Sequence, residues 1–260
     1  MSSLSTREAR LLATWERERR VVVTIDDIAR VVGAREVAQD VARRLAGKSA
    51  LQRIGSGRYL VRPLRQQTAP TQPSTALAAG ALLNGTPYYL GGLWAVSFHG
   101  LTEQSYVNVI DAFTSTELRS RPLGVGRVRF HRLPAKAIKY GVTRSVIEGL
   151  QVNVSDLERT LLDALDRPRV FDGMGSALQR VTRFLERADV SRVIDYAVRG
   201  SRMSTCQRLG VLLERNHVSK SRLAPLRRKV RATESLTAML PGHSRAGPVN
   251  TDWLIVENDG

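Results

Sequence analysis

Three polar side chains able to read DNA bases recur at four-residue steps near the start of the sequence, at Arg35, Gln39 and Arg43. Arginine can hydrogen-bond guanine through two donors, and glutamine can pair in the same bidentate way with adenine, in the major groove of double-stranded DNA. Arg44 and Lys48 follow toward the end of the same segment and suit contacts with phosphates. These residue types and their spacing predict a helix face that reads DNA.

Two capping-box patterns predict where the preceding helices begin. Ser5 is followed three residues later by Glu8, and Thr24 by Asp27. At this spacing the paired side chains satisfy free backbone amides of a first helical turn. We expect a first helix that runs to about residue 19 and a short second helix that ends at Gly33. A glycine at that point supplies the corner of a helix-turn-helix.

The third helix is predicted from residue 34 to about residue 47. Its apolar positions share one side of a helix with 3.6 residues per turn, and the proposed base-reading residues lie on the other side. The apolar positions are Val37, Ala38, Val41 and Leu45.

A glycine-tipped hairpin is predicted directly after the third helix. Leu51–Ile54 and Arg58–Val61 have the composition of short strands, and Gly55-Ser56-Gly57 between them is a tight-turn sequence. A hairpin in this position is the wing of a winged helix-turn-helix, and it would bring Arg53, Ser56 and Arg58 to the DNA backbone or minor groove. The alternative is a solvated helix face in a winged module that contacts only protein.

The charge balance favours a polyanionic partner. The 260 residues include 40 Lys and Arg against 24 Asp and Glu, which gives a net charge of +16 and an isoelectric point near 11.1. Such a surplus is typical of proteins that bind nucleic acid. No run approaches the roughly 20 apolar residues of a membrane-spanning helix, and Met1–Thr6 lacks the features of a signal peptide. We therefore expect a cytosolic protein with no membrane partner.

Metal, disulfide and cofactor chemistry are not expected. The sequence has one cysteine, Cys206, and four histidines, which are not at ligand spacing from one another. Neither a glycine-rich phosphate loop nor a serine nucleophile motif occurs in it. His99 lies beside a glycine that ends a predicted helix and has no partner acid nearby, so we expect a structural role for it.

The predicted fold is α+β, with an N-terminal winged helix-turn-helix and a larger mixed α+β C-terminal domain that is helical in its second half. A polar, proline-containing linker at residues 67–75 separates residues 1–66 from the C-terminal domain at residues 76–240. Within that domain, β-branched residues predict a small sheet at about 105–154, and helices follow at about 155–231. Residues 241–260 form a tail with one short apolar run, whose structure the sequence leaves open.

Charged residues of the C-terminal domain are assigned to caps and surfaces. Glu158, Asp163 and Asp166 are expected as helix caps and solvated partners of nearby basic residues. A basic face follows, which either contacts phosphates or an acidic or nucleotide-handling partner, or is simply solvated. Its residues are Arg202, Arg208, Arg215, Lys220, Arg222, Arg227, Arg228 and Lys229.

Three segments stand in a fixed order after the predicted winged module: YYLGGLWAVSFHGLTEQ at residues 88–104, VSDLERTLLDAL at 154–165 and QRLGVLLE at 207–214. Together they resemble the AbiEi-type antitoxins, which accompany nucleotidyltransferase-like toxins in bacterial abortive-infection and related toxin–antitoxin operons. The resemblance implies a winged domain that represses its own operon by binding inverted repeats in the promoter. It also implies a C-terminal domain that counteracts the toxin, directly or indirectly, in the bacterial cytosol, with the protein on the nucleoid when it occupies its promoter.

Two other classes of protein remain open. A nuclease-like enzyme would need an acid followed by a Glu-x-Lys-type strand motif that holds a metal. Asp111 lies in a strand-like run, but no matching acid and lysine follow it at strand spacing, so we expect no catalytic residue and no enzymatic activity. The second alternative is a winged-helix transcription factor that senses a small ligand and has no antitoxin role.

Overall fold

The computed structural model describes residues 4–55, 57–62 and 72–259. Helices and strands are mixed along these residues, so the predicted α+β class is confirmed. The chain divides into two compact units. The first comprises Met1–Leu90, Val107–His131 and Arg144–Asn153, and the second comprises Gly91–Tyr106, Arg132–Thr143 and Val154–Gly260.

The first unit begins with three helices and a small sheet. Its elements are α1 (Thr6–Arg17), β1 (Val22–Thr24), α2 (Ile25–Val32), α3 (Arg35–Gly47), β2 (Leu51–Gly55) and β3 (Arg58–Val61). The strands are antiparallel and ordered β1-β3-β2, so that Tyr59 pairs with Val23 on one side and with Arg53 on the other. The β2–β3 hairpin is thereby attached to the strand that leads into α2.

Both predicted capping boxes are present. Ser5 Oγ accepts a hydrogen bond from the Glu8 amide, and the Glu8 carboxylate accepts one from the Ser5 amide at 2.8 Å. Thr24 and Asp27 make the same exchange at the start of α2. Gly33 ends α2 with a φ of 99°, a conformation that glycine adopts without a steric penalty. These local interactions explain why α1 and α2 begin where the sequence predicts.

The three helices bury a common apolar core. Leu12 and Trp15 of α1 pack with Ile28 of α2 and with Val41 and Leu45 of α3, and each of these side chains is at most 2% exposed. Burial of this apolar surface is what holds the short helices together, since isolated helices of this length are marginal in water.

Val37 does not belong to this core, contrary to the sequence prediction. It is 40% exposed, whereas the buried residues of α3 are Ala38, Val41, Ala42 and Leu45. Successive helical residues are rotated by about 100°, and this places Val37 beyond the edge of the buried arc.

A six-stranded sheet follows along the chain. Its strands are ordered β6-β7-β5-β4-β9-β8. Their bounds are Tyr88–Gly91 for β4, Val109–Thr114 for β5, Arg121–Leu123 for β6, Gly126–Arg132 for β7, Val142–Ile147 for β8 and Leu150–Ser155 for β9. Strands β5 to β9 lie at the predicted position of the sheet, and β4 was not predicted. All four residues of β4 are buried, so the alternation of apolar and polar residues that marks a half-exposed strand is missing there.

Helix α4 (Thr75–Leu83) packs against the β2–β3 hairpin within the first unit. A Cβ atom on Gly55 would lie 2.5 Å from Leu82, so a side chain at this position would prevent the close approach. Because of this packing, the first unit contains residues from both sides of the predicted 67–75 linker. Residues 67–71 of that linker lie outside the described residues, and residues 72–74 belong to neither a helix nor a strand.

The second unit is mainly helical, as expected for the second half of the chain. Two short helices, α5 (Gly92–Phe98) and α6 (Ala135–Ile138), precede five longer ones. These are α7 (Leu157–Asp166), α8 (Met174–Phe184), α9 (Val190–Gly200), α10 (Met203–Arg215) and α11 (Lys220–Val230).

The C-terminal tail is folded onto α10. Strands β10 (Thr237–Ala238), β11 (Val249–Asn250) and β12 (Ile255–Val256) form a small sheet with β12 in the middle. Trp253 is fully buried, and its indole nitrogen donates a 2.7 Å hydrogen bond to Glu214. The apolar run that the sequence left unassigned therefore supplies a central strand and a core side chain.

Across the described ranges, every helix is too short or too polar to cross a membrane.

Candidate nucleic-acid interface

The predicted base-reading residues are exposed on α3. Arg35, Gln39 and Arg43 are all open to solvent, as the sequence predicts for a contact surface. The two arginines are also engaged in ion pairs, Arg35 with Asp26 of α2 and Arg43 with Asp40 of α3. Sequence reasoning missed these two acids, although the Asp40–Arg43 spacing of three residues is one at which helical side chains meet.

Lys48 and Arg44, predicted to contact phosphates, converge on one carboxylate. Lys48 Nζ lies 2.7 Å from Glu8 Oε2, and Arg44 Nε lies 3.3 Å from Glu8 Oε1. The side chain of Lys48 is 17% exposed and that of Arg44 is 57% exposed. Lys48 therefore joins α3 to α1, whereas Arg44 keeps much of its surface available for a partner.

Hydrogen-bond donors hold Glu8 in its charged form despite its burial. Its hydrogen bond from Lys48, followed by that from the Ser5 amide, lowers the pKa of Glu8 from 4.5 to about 2. Because a buried carboxylate without a partner is strongly unfavourable, the Lys48 contact is part of the folded core of the first unit.

The hairpin residues differ in their availability. Arg53 is exposed, and its closest hydrogen bond within the chain is a long one, 3.4 Å, to the Gly55 carbonyl. Arg58 donates to the Asn84 carbonyl at 2.6 Å and to the Ala81 carbonyl at 3.4 Å, both at the C-terminal end of α4. A cation suits this end of a helix because of the partial negative charge of its free carbonyls. Ser56, the third hairpin residue of the prediction, lies outside the described residues.

Basic residues outnumber acidic ones in this region of the chain. The first 66 residues contain 14 of the 40 Lys and Arg and seven of the 24 Asp and Glu. The exposed arginines of α1, α3 and the hairpin are interspersed with Glu36, Asp26 and Asp40 rather than forming an uninterrupted positive patch.

Four residues of the predicted C-terminal basic face have internal partners. Arg208 is 5% exposed and donates to the carbonyls of Ala238 and Met239, and its burial lowers its pKa to about 10. Arg215 donates hydrogen bonds to Glu257 and Asp259, and Arg227 donates to Glu214 and Asp252. Lys229 donates to three backbone carbonyls, those of Ala197, Val198 and Ser201. These four side chains hold the tail and the ends of α9 and α10 in place.

The other four basic residues are open to solvent. They are Arg202, Lys220, Arg222 and Arg228, of which Arg222 donates a hydrogen bond to Ser191 Oγ. A partner of the second unit would therefore meet a smaller basic surface than the sequence suggests.

Asp163 and Glu158, expected to be solvated, are buried instead. Asp163 is 1% exposed and accepts from Arg159 at 3.0 Å and from Arg167 at 3.3 Å. Glu158 is 5% exposed and accepts from the Asp189 amide at the start of α9. Helix spacing alone does not show which face of α7 is covered, which is why the sequence did not predict this burial.

Asp166 caps a different helix from its own. Its carboxylate accepts from the Arg202 amide, from Ser201 Oγ and from Thr205 Oγ1 at the start of α10. A carboxylate at a helix N-terminus satisfies free amides and stabilises the local partial positive charge. The polar residues of α7 thus connect helices of the second unit.

His99 and Asp111 both have hydrogen-bond partners within the chain. His99 Nε2 lies 2.7 Å from the Ser155 carbonyl oxygen. Because a carbonyl oxygen can only accept, Nε2 carries the proton and donates it in this hydrogen bond. Asp111 is 1% exposed and binds Arg129 through both oxygens and His131 at 2.6 Å. In the part of the chain that the structure describes, no three His, Cys, Asp or Glu residues are grouped to hold a metal ion.

No protein-family model matches the sequence, and no curated protein matches it. Among solved structures, the chain is similar to the RV2827C protein from Mycobacterium tuberculosis. The two share 17% sequence identity with a TM-score of 0.66, over 99% of this chain and 93% of that one. An identity this low shows a common fold alone, so the α+β arrangement described above also occurs in a crystal structure.

Proposed function

We propose that the chain is a transcriptional autorepressor and antitoxin, whose first unit contains a winged helix-turn-helix that binds double-stranded DNA. The observation that carries the DNA-binding half is the exposed polar face of α3, directly followed by the β2–β3 hairpin. In a winged helix-turn-helix, α3 would be the recognition helix and the hairpin would be the wing. The sheet order β1-β3-β2 supports this reading because it fixes the hairpin beside the helices.

The contacts within the chain refine which residues bind DNA in this proposal. Arg35, Gln39 and Arg43 are exposed and can reach base edges, and Arg44 and Arg53 can reach phosphates. Lys48 and Arg58 have partners that belong to the folded unit, so we assign them mainly to stability.

The antitoxin half of the proposal is supported by the resemblance of three segments to AbiEi-type antitoxins. Two of them, in α7 and α10, supply polar side chains that hold the second unit together through internal hydrogen bonds. A cognate nucleotidyltransferase-like toxin would therefore be counteracted by surface residues of that unit. Arg202, Lys220, Arg222 and Arg228 are the exposed basic candidates.

The experiment that tests the proposal uses the full chain. Purified protein is titrated against the DNA upstream of its own gene, and growth is measured when the chain is co-expressed with the neighbouring toxin candidate. We expect protection of inverted repeats and rescue of growth. Because the first unit extends beyond residue 66, removing residues 1–66 would also disturb α4 and the sheet, so point variants are the better separation of the two activities.

A cavity in the first unit favours the ligand-sensing transcription factor as a second candidate. Its volume is about 850 Å³, within the range of small-molecule sites. Apolar residues such as Trp15, Leu60 and Leu77 line it together with three arginines and two glutamates, which are Arg19, Arg20, Arg62, Glu16 and Glu148. A saturable rise in melting temperature with an anionic metabolite, accompanied by a change in DNA affinity, would support this candidate over the antitoxin.

A further inference from the structure

The two arginines best placed to read bases carry carboxylates beside them. Arg35 pairs with Asp26, and Arg43 pairs with Asp40. All four side chains are more than half exposed. Such pairs exchange readily with other partners because solvent weakens exposed ion pairs.

The same acids lie on the surface that would face DNA in the proposed winged module, because they pair with Arg35 and Arg43 there. Asp40 belongs to α3 itself, three residues before Arg43, and Asp26 lies in the first turn of α2. Each carboxylate repels the phosphates of any sequence and competes for a guanidinium that would otherwise neutralise one. The resulting loss of binding free energy is the same for every DNA sequence, unless a base of the DNA donates a hydrogen bond to the carboxylate.

A G·C pair offers both complements in the major groove. Guanine presents O6 and N7, which accept from arginine, and cytosine presents an N4 amino group, which donates to a carboxylate. A site with suitably placed G·C pairs therefore satisfies the arginine and the aspartate together, whereas phosphates satisfy only the arginine.

We propose that Asp26 and Asp40 are specificity-determining residues that suppress binding to random DNA and favour sites with G·C pairs opposite α3. This inference rests on the proposed DNA-binding function of the first unit. The carboxylates act by charge repulsion against unmatched partners, a device by which binding sites gain discrimination at some expense of affinity.

The test measures affinity for two duplexes as a function of salt. One duplex carries the motif that the full-length protein enriches from a random pool, and the other has random sequence. Asp26→Asn and Asp40→Asn remove one charge each at nearly constant size, and Asp40→Ala repeats the test without an amide that could bind adenine. Asp195→Asn is the matched control, because Asp195 forms an exposed helical ion pair with Arg199 in the second unit.

We expect each variant to bind random DNA roughly five- to tenfold more tightly at 0.1 M salt, with a log–log salt slope steeper by about 0.9, the effect of one added phosphate contact. Affinity for the motif should rise less, so the ratio of specific to random affinity falls, and G·C preference in the enriched pool weakens. Asp195→Asn should leave both slopes unchanged.

Three results would count against this inference or its premise. Equal slopes and ratios in wild type and in the Asp26 and Asp40 variants overturn the role of the carboxylates while leaving DNA binding intact. The same steepening in Asp195→Asn shows a general charge effect and also overturns it. Absence of any DNA binding by the wild-type chain overturns the proposed function itself.

Discussion

Lys48 Nζ lies 2.7 Å from the carboxylate of Glu8, which is the third residue of α1 and the acidic member of its capping box. One carboxylate thus satisfies the first helix at its N-terminus and binds the end of the third helix. Since Glu8 and Lys48 are 40 residues apart in the sequence, this contact links the start of the first unit to the end of the proposed recognition helix.

Replacement of Glu8 should separate its two roles. Glutamine keeps the side-chain oxygen that accepts from the Ser5 amide but loses the charge that binds Lys48, so Glu8→Gln should cost about 1–2 kcal/mol. Glu8→Ala loses both contacts and should cost more. Urea unfolding at pH 7 measures the two differences, and an equal cost for both variants would show that the cap contributes nothing.

The contribution of the Glu8 charge should depend on pH. The pKa of Glu8 in the folded chain, about 2, lies below its ordinary value of 4.5, so the unfolded chain takes up the proton first as pH falls. The stabilisation is fully present above about pH 5 and is lost progressively toward pH 2. The stability difference between wild type and Glu8→Gln should therefore shrink between these pH values. A constant difference would contradict the assignment.

Arg35→Ala combined with Arg43→Ala should abolish sequence-specific binding to promoter DNA. Both guanidinium groups are exposed, so the melting temperature should change little. Rescue of growth from the toxin should persist, because the antitoxin activity is proposed for the other unit. Gel-shift titration and co-expression measure the two outcomes, and retained specific binding would contradict the choice of α3.

Arg53→Ala and Arg58→Ala should have opposite consequences. Arg53 is exposed at the hairpin, so its loss should reduce the salt slope of DNA binding by about 0.9 and leave stability unchanged. Arg58 caps α4, so its loss should cost about 1 kcal/mol of stability with a smaller effect on the salt slope. Reversal of this pattern would show that Arg58, not Arg53, meets the DNA.

Gly210→Ala should destabilise the second unit. A Cβ at this position would lie 2.2 Å from the ring of Trp253, and such overpacking typically costs about 1–3 kcal/mol. Gly175 in α8 is the matched control, because the nearest atom to a Cβ there, in Leu240, is 4.0 Å away. Gly175→Ala should be neutral or stabilising. Thermal unfolding of both variants measures the contrast.

Local signals predicted the first part of the chain well. Ser5 with Glu8 and Thr24 with Asp27 are complete capping boxes within four residues, and the predicted strands after the third helix pair as the β2–β3 hairpin. The interactions that stabilise such motifs are made between residues close in sequence, so α1, α2 and the hairpin could be predicted without knowledge of tertiary contacts.

Features that depend on distant contacts were not predictable in the same way. The four buried residues of β4 show no alternation of apolar and polar positions. The buried Arg208 donates to carbonyls 30 and 31 residues away in the sequence. In the candidate site, the exposure of Arg35, Gln39 and Arg43 was predictable from the sequence. Lys48 and Arg58 were also predicted to contact DNA, because their partners within the chain lie 40 and 26 residues away and cannot be recognised from local sequence.

The position of β12 has a consequence for cleavage of the chain. Residues 241–249 are exposed, and 241–248 belong to neither a helix nor a strand, with Arg245 in their midst as a trypsin site. A cut there would leave β12 hydrogen-bonded to β10 and Trp253 enclosed against α10. The nicked polypeptide should therefore persist as a two-chain complex that comes apart only under denaturing conditions.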